Sequence, residues 1–288
     1  MTASRANLVR FLDAHPQVAL VKVVEALGST PREKGAWMLV SPGAMFGTIG
    51  GGQLEFMAID RAREMLAGGG AAPHPPFGHL LPANGEKGER LSIPLGPEIG
   101  QCCGGRVELS IGVADDQIRA ELLRQAEAEE AKLPRILIFG GGHVGHALAA
   151  AFALLPVKVI VVDVRAEALD GMPPAVDTLL TPVPEEAVRD APPGSAFVVL
   201  THDHALDFLI VAEALKRDGA AYVGMIGSKT KRATFRSWYL KEAGGDEAAL
   251  SRLVSPIGGE DVRDKRPAVI AALAAAEIMT ALSRNRAA

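Results

Sequence analysis

The sequence predicts an α/β chain in two parts: an N-terminal α+β domain, then a parallel sheet with helices on both faces. Three observations predict it. The compact apolar strand Arg135–Phe139 runs at once into Gly140-Gly141-Gly142-His143-Val144-Gly145 and an alanine-rich helix. That is the G-x-G-x-x-G pattern in the strand-to-helix setting it requires. A second strand, Val157–Val162, ends in Asp163, 23 residues past Gly140, where an acid can bond a ribose hydroxyl. Strand and helix signals then alternate to the end of the chain, as βα units in a parallel sheet do. The second half is therefore expected to be Rossmann-like, with Gly140, Gly142, His143, Gly145 and Asp163 as candidate nucleotide-binding residues.

At 288 residues the chain is long enough for two domains. The expected boundaries are an α+β domain over 1–115, a linker helix over 116–134 and the Rossmann-like domain over 135–288. Thirty basic residues against 34 acidic ones, net −4, leave no general footprint for nucleic acid. Two cysteines cannot build a disulfide framework, and their scarcity fits a reducing compartment. Met1–Gln17 lacks the apolar core of a signal peptide. The run Ala147–Val162 is broken by Pro156 and Lys158 and is too short for a bilayer core, which needs about 20 apolar residues. A cytoplasmic protein with no membrane segment is expected.

In the first half, Leu8, Val9 and Leu12 mark one face of a short helix that Pro16 ends. Val18–Leu27 is rich in β-branched residues and predicts a strand, and Trp37–Val40 predicts another. Between them Gly28-Ser29-Thr30-Pro31-Arg32-Glu33-Lys34-Gly35 reads either as a solvated turn or as an anion site of hydroxyls, N–H groups and Arg32. Phe46–Gly52, including Gly50, Gly51 and Gly52, opens onto a helix over Gln53–Ala67. A glycine run at a helix start suits an anion, because unpaired N–H groups and the helix dipole point there. Gly68–Gly78 is a loop, and Arg90–Leu95 predicts a strand. From Val107 to Val113 apolar residues alternate with Arg106, Glu108 and Ser110, the mark of a half-buried strand. Asp115 and Asp116 start a charged helix that runs through Lys132.

Gly100-Gln101-Cys102-Cys103-Gly104-Gly105 holds both cysteines. Adjacent Cα atoms sit about 3.8 Å apart, closer than the roughly 4.4–6.8 Å of an ordinary disulfide. Zinc sites usually leave at least two residues between cysteines. Two readings stay open: a thiol presented on bare glycine backbone, with N–H groups that stabilise a thiolate, or a buried cysteine beside a strand bend.

In the second half, helices are expected at 184–190, 205–217, 229–243 and 267–282, with strands at 196–200 and 222–226. Thr201-His202-Asp203-His204 follows the first of these strands. In a doubly wound sheet the first and fourth strands are neighbours, which would bring His143 and His146 towards His202 and His204. No H-E-x-x-H frame fixes ligand geometry, so these side chains are expected to line a pocket or cap helices. Gly227-Ser228-Lys229-Thr230-Lys231-Arg232 puts three cations in a helix's first turn. They oppose the dipole, which suits either anion recognition at Lys229 or a solvated basic turn.

Taken in order, GSTPR at Gly28–Arg32, GTIGGG-x-x-E ending at Glu55, Cys103-Gly104-Gly105, FGGGHVG from Phe139, Thr201–His204, Ile226–Lys229 and Ser255-Pro256-Ile257-Gly258 resemble the XdhC family. These are accessory proteins that mature xanthine dehydrogenase and related molybdenum hydroxylases. The resemblance implies a chaperone more than a catalyst. It would bind the molybdenum cofactor in its molybdopterin form, shield it while a cysteine desulfurase replaces an oxo ligand by sulfido, and insert it into apo xanthine dehydrogenase. It also implies a homodimer and maps the family's cysteine to Cys103 as the metal ligand. Gln101, Gly104, Gly105, Ser29, Thr30, Arg32, Gly50–Gly52 and Glu55 would then surround the cofactor. The chain departs from the family pattern at Gln53, where many relatives carry cysteine, and at Gly259-Glu260-Asp261-Val262, where many carry Leu-Asp-Ile-Gly. The alternatives are an NAD(P)-dependent oxidoreductase with His143 or His202 as acid–base, and a nucleotide-sensing regulator.

Overall fold

The computed structural model describes residues 5–68, 79–81, 88–96, 104–259, 262 and 264–287. The chain forms two compact units, one ending at Ala131 and the other beginning at Lys132.

The first unit runs α1 (Arg5–Ala14), β1 (Ala19–Leu27), β2 (Trp37–Val40), β3 (Met45–Gly47), α2 (Gly52–Leu66), β4 (His79–Leu81), β5 (Glu89–Pro94), β6 (Arg106–Val113) and α3 (Asp116–Ala131). The six strands form one antiparallel sheet in the order β3-β2-β1-β6-β5-β4. Alternation along β6 buries Val107, Leu109 and Ile111 on one face. Leu54, Ala58 and Ala62 of α2 pack there, with Val21, Val23 and Ile93. Each fully buried Val, Leu or Ile side chain among them contributes about 1.5–3 kcal/mol. Arg61 ties α2 to β5 through two 2.6 Å contacts with Glu89.

A second cluster joins Leu8 and Leu12 of α1 to Leu39, Leu122 and Ala126. The charged helix expected as a linker thus packs as α3 against α1. Arg119 of α3 donates to Leu12 O (3.4 Å), His15 O (3.3 Å) and Pro16 O (2.5 Å), satisfying carbonyls left open where α1 ends.

The second unit runs β7 (Arg135–Phe139), α4 (His143–Phe152), β8 (Lys158–Asp163), a 3-10 turn (Ala166–Ala168), β9 (Asp177–Leu180), α5 (Pro184–Asp190), β10 (Ala196–Val199) and α6 (His204–Leu215). It continues through β11 (Tyr222–Met225), α7 (Lys229–Lys241), α8 (Glu247–Ser251), β12 (Leu253–Val254) and α9 (Pro267–Ala287). Its six strands are parallel in the order β9-β8-β7-β10-β11-β12. The order reverses between β7 and β10, the doubly wound Rossmann arrangement. α4 and α9 cover one face, while α5, α6 and α7 cover the other. By length and composition α9 would suffice to cross a membrane. Here Ala271, Ala274, Ala275, Ile278 and Leu282 pack it into the core.

Candidate functional site

The β1–β6 ladder ends at the pair Leu27–Arg106, so the turn after β1 and the segment before β6 leave the sheet together. A Cβ on Gly28 would lie 3.2 Å from Gly105 Cα, and one on Gly105 would lie 2.4 Å from Ser29 O. Only bare backbone allows that approach. Gly104 N donates to Leu95 O and Leu95 N to Gly105 O, both at 2.8 Å, which fixes the other edge. A Cβ on Gly50 would lie 2.6 Å from Pro31 Cγ, so the glycine run before α2 presses on the same turn. Three segments far apart in sequence, 28–31, 50 and 104–105, form one loop cluster. Ser29 and Arg32 are exposed beside it, and Thr30 Oγ1 donates to Arg32 O at 3.0 Å, closing the turn. Gln101, Cys102 and Cys103 lie outside the described residues.

Within the glycine run the anion is the protein's own. Glu55 Oε1 accepts from Ile49 N at 2.8 Å, Gly50 N at 3.2 Å and the Thr48 hydroxyl. Burial pushes the Glu55 carboxyl up, but the Thr48 hydroxyl and the N–H groups of Ile49, Gly51 and Gly50 outweigh it and hold the pKa below its ordinary value. These N–H groups, expected to face an anionic ligand, are taken by Glu55. Gly52 is exposed at the start of α2.

In the second unit, Gly140, Gly141 and Gly145 serve packing. A Cβ on Gly145 would lie 2.0 Å from Gly140 O, one on Gly140 2.6 Å from Leu200 O, and one on Gly141 2.2 Å from Ala168 O. Gly142 faces open space. Asp163 is 5% exposed and accepts from Gly141 N at 2.8 Å and Arg165 N at 3.0 Å. Burial raises its pKa, but these bonds and the Arg165 guanidinium outweigh that and hold it low. The carboxylate expected at a ribose is thus engaged by its own loop. The space among Phe139, Asp163, Pro184 and His202 at the point of reversal is about 10 Å³, room for a single water.

His143, His202 and His204 are exposed, and the His146 ring lies 3.2 Å from Ala168 O. Among the described residues no group of three or more His, Cys, Asp and Glu side chains is gathered for a metal ion. Asp203 caps α6, accepting from Ala205 N and Leu206 N. The basic turn divides: Lys229 is exposed, while Lys231 points inward and pairs with the fully buried Asp207. Sequence reasoning missed this pair. Lys231, Phe235 and Tyr239 share a helical phase, and that phase was the available signal.

These features define a two-domain protein: glycine loops gathered at one end of an antiparallel ladder, followed by a Rossmann-like domain. A family model described as the XdhC Rossmann domain matches residues 136–278, and one described as the XdhC and CoxI family matches residues 11–74. The Escherichia coli (strain K12) protein named "Uncharacterized protein YqeB" is 28% identical over 268 residues, 91% of this chain and 43% of that protein. The chain therefore spans less than half the length of that relative. A crystal structure of a xanthine dehydrogenase from Bacillus halodurans shares the fold, with a TM-score of 0.70 over 98% of this chain and 96% of that one, at 18% identity. The chain belongs to the XdhC family, whose two models match residues 11–74 and 136–278.

Proposed function

We propose that this protein carries the molybdenum cofactor as cargo and delivers it to an apo molybdenum hydroxylase of the xanthine dehydrogenase type. The gathering of Gly28–Pro31, Gly50 and Gly104–Gly105 into one loop cluster carries this proposal. It brings three of the motifs shared with the family to one place, next in sequence to Cys103.

The residues present fit an anionic pterin. Among the described residues a Cβ on Gly51 or Gly104 would meet nothing within 4 Å, which leaves bare backbone that a flat ring can approach. The exposed Ser29 and Arg32 supply a hydroxyl donor and a guanidinium suited to a phosphate. With its N–H groups held by Glu55, the glycine run acts as the frame of the cradle, and the phosphate belongs on the Ser29–Arg32 side. Cys103 is the soft donor, better matched to a molybdenum–sulfur centre than a carboxylate. The cargo brings the metal and its exchangeable oxo or sulfido ligand. The protein's part is to hold a thiolate and a phosphate grip while a cysteine desulfurase, and then the apo enzyme, gain access. A homodimer in a reducing, cytoplasmic setting belongs to the same proposal.

Co-expression with cofactor biosynthesis tests it. The purified protein should carry a pterin that fluoresces after oxidation. A pterin content no higher than that of an unrelated protein expressed alongside would overturn the proposal.

A further inference from the structure

The first unit holds a cleft of about 250 Å³ between its sheet and α3. It lies on the sheet face that α1 and α3 cover, opposite the face that α2 covers. Leu20 and Lys22, two residues apart on β1, line it from the same side of the strand. Lys22 stands directly opposite Trp37 in the β1–β2 ladder, which puts their Cβ atoms about 4.5–5.5 Å apart. Ile118, Leu122 and Gln125 of α3 form the facing wall.

The walls are apolar and braced. Leu122 is buried in the cluster that joins α3 to α1, and Ile118, Leu20 and Trp37 pack against that cluster. Trp37 is half-buried, and its far neighbour is the Phe46 ring at 6.1 Å, which Phe11 backs at 5.4 Å. An indole held in this way offers a fixed surface to a second aromatic ring, an arrangement that contributes about 0.5–1.5 kcal/mol beyond the area it buries.

The charges of the cleft are unequal. Glu121 is matched on its own helix, by Gln125 Nε2 at 2.7 Å and Arg124 Nη2 at 2.5 Å. Lys22 is exposed and enters no ion pair among the described residues. One cation therefore stands unmatched at the rim of an apolar slot. Ligand sites commonly join apolar walls to a few polar groups in about 300–1,000 Å³, so this smaller volume suits a compact ligand.

We infer that the cleft binds a small aromatic monocarboxylate, of one ring or two fused rings. The ring lies between Trp37 and the Ile118–Leu122 wall. The carboxylate lies at the Lys22 ammonium, a charge-assisted contact, with the exposed Gln117 amide as a further donor. A single negative charge matches the single free cation, whereas a phosphate dianion would leave one charge facing Glu121. The inference is independent of the cargo proposed above.

Calorimetric titration of the full chain tests it, with benzoate and 2-naphthoate as probes and benzamide and 2-naphthamide as their uncharged partners. At least one acid should bind, at least tenfold more tightly than its amide. Lys22→Gln, a change at an exposed position, should bring acid and amide to within about twofold of each other while leaving amide binding as it was. Ile118→Trp, which fills the cleft, should abolish binding of both, and Lys216→Ala, on α6 of the other unit, should change neither. Binding of neither acid, equal binding of acid and amide by the wild type, an undiminished preference in Lys22→Gln, wild-type affinity in Ile118→Trp or a matching loss in Lys216→Ala would overturn it.

Discussion

Lys231 Nζ donates to Asp207 Oδ2 in the interior of the second unit, and also to Ile226 O at 3.0 Å. Asp207 Oδ1 in turn accepts from Thr201 N at 3.0 Å and Thr201 Oγ1 at 2.6 Å. One ion pair thereby fastens the Thr-His-Asp-His turn after β10 to the Ile-Gly-Ser-Lys turn after β11. Both charges are satisfied, as burial demands.

Breaking this pair from one side strands a charge. Lys231→Met should cost roughly 3–5 kcal/mol in a denaturant titration, because it removes one partner of a buried ion pair and leaves the other uncompensated. The double variant Lys231→Met/Asp207→Asn should be more stable than Lys231→Met alone. Additive losses would show that the two residues act separately.

The glycines of the GGGHVG loop should respond very differently to substitution. Gly145→Ala forces a Cβ into the Gly140 carbonyl and should cost about 1–3 kcal/mol or more. Gly142→Ser introduces a favoured cap residue at the start of α4, where backbone φ is −75° and space is open, and should stay within about 0.5 kcal/mol of wild type. Thermal melts of the two variants compare them directly.

Much of this architecture was legible in the residues. The central strands of the second unit are continuous apolar runs because both faces are buried, and β10 and β11 are buried at every position. β9 escaped notice because it is an edge strand with all four residues exposed, so Asp177-Thr178-Leu179-Leu180 carries no burial pattern. β3 and β12, three and two residues long, are too short to show a period. At the site, the glycines announced close approach without saying to what. Gly141 and Gly145 meet backbone, and the N–H groups near Gly50 meet Glu55. An internal carboxylate seven residues beyond Thr48 follows no capping-box spacing, and a tertiary contact of that kind is invisible to periodicity.

Glu55 should leave a signature in acid. A carboxyl whose folded pKa lies below its unfolded value adds stability that is fully present above the unfolded value and lost as pH falls through the folded one. Glu55 is depressed from about 4.5 and Asp163 from 3.8. Wild-type stability should therefore hold at neutral pH and fall below about 4.5, and Glu55→Gln should flatten that fall. At neutral pH Glu55→Ala, which leaves the Ile49 and Gly50 N–H groups without their acceptor, should cost roughly 1–3 kcal/mol. Melting temperature against pH for the three proteins reads both effects.

The most direct measurement compares the two adjacent thiols. Wild type, Cys103→Ala and Cys102→Ala are co-expressed with cofactor biosynthesis, and the pterin and molybdenum retained per protein are measured. Cys103→Ala should lose most of both while Cys102→Ala keeps them, because only the thiol beside the Gly104–Gly105 step is assigned to the metal. Equal retention in all three proteins would contradict Cys103 as the ligand.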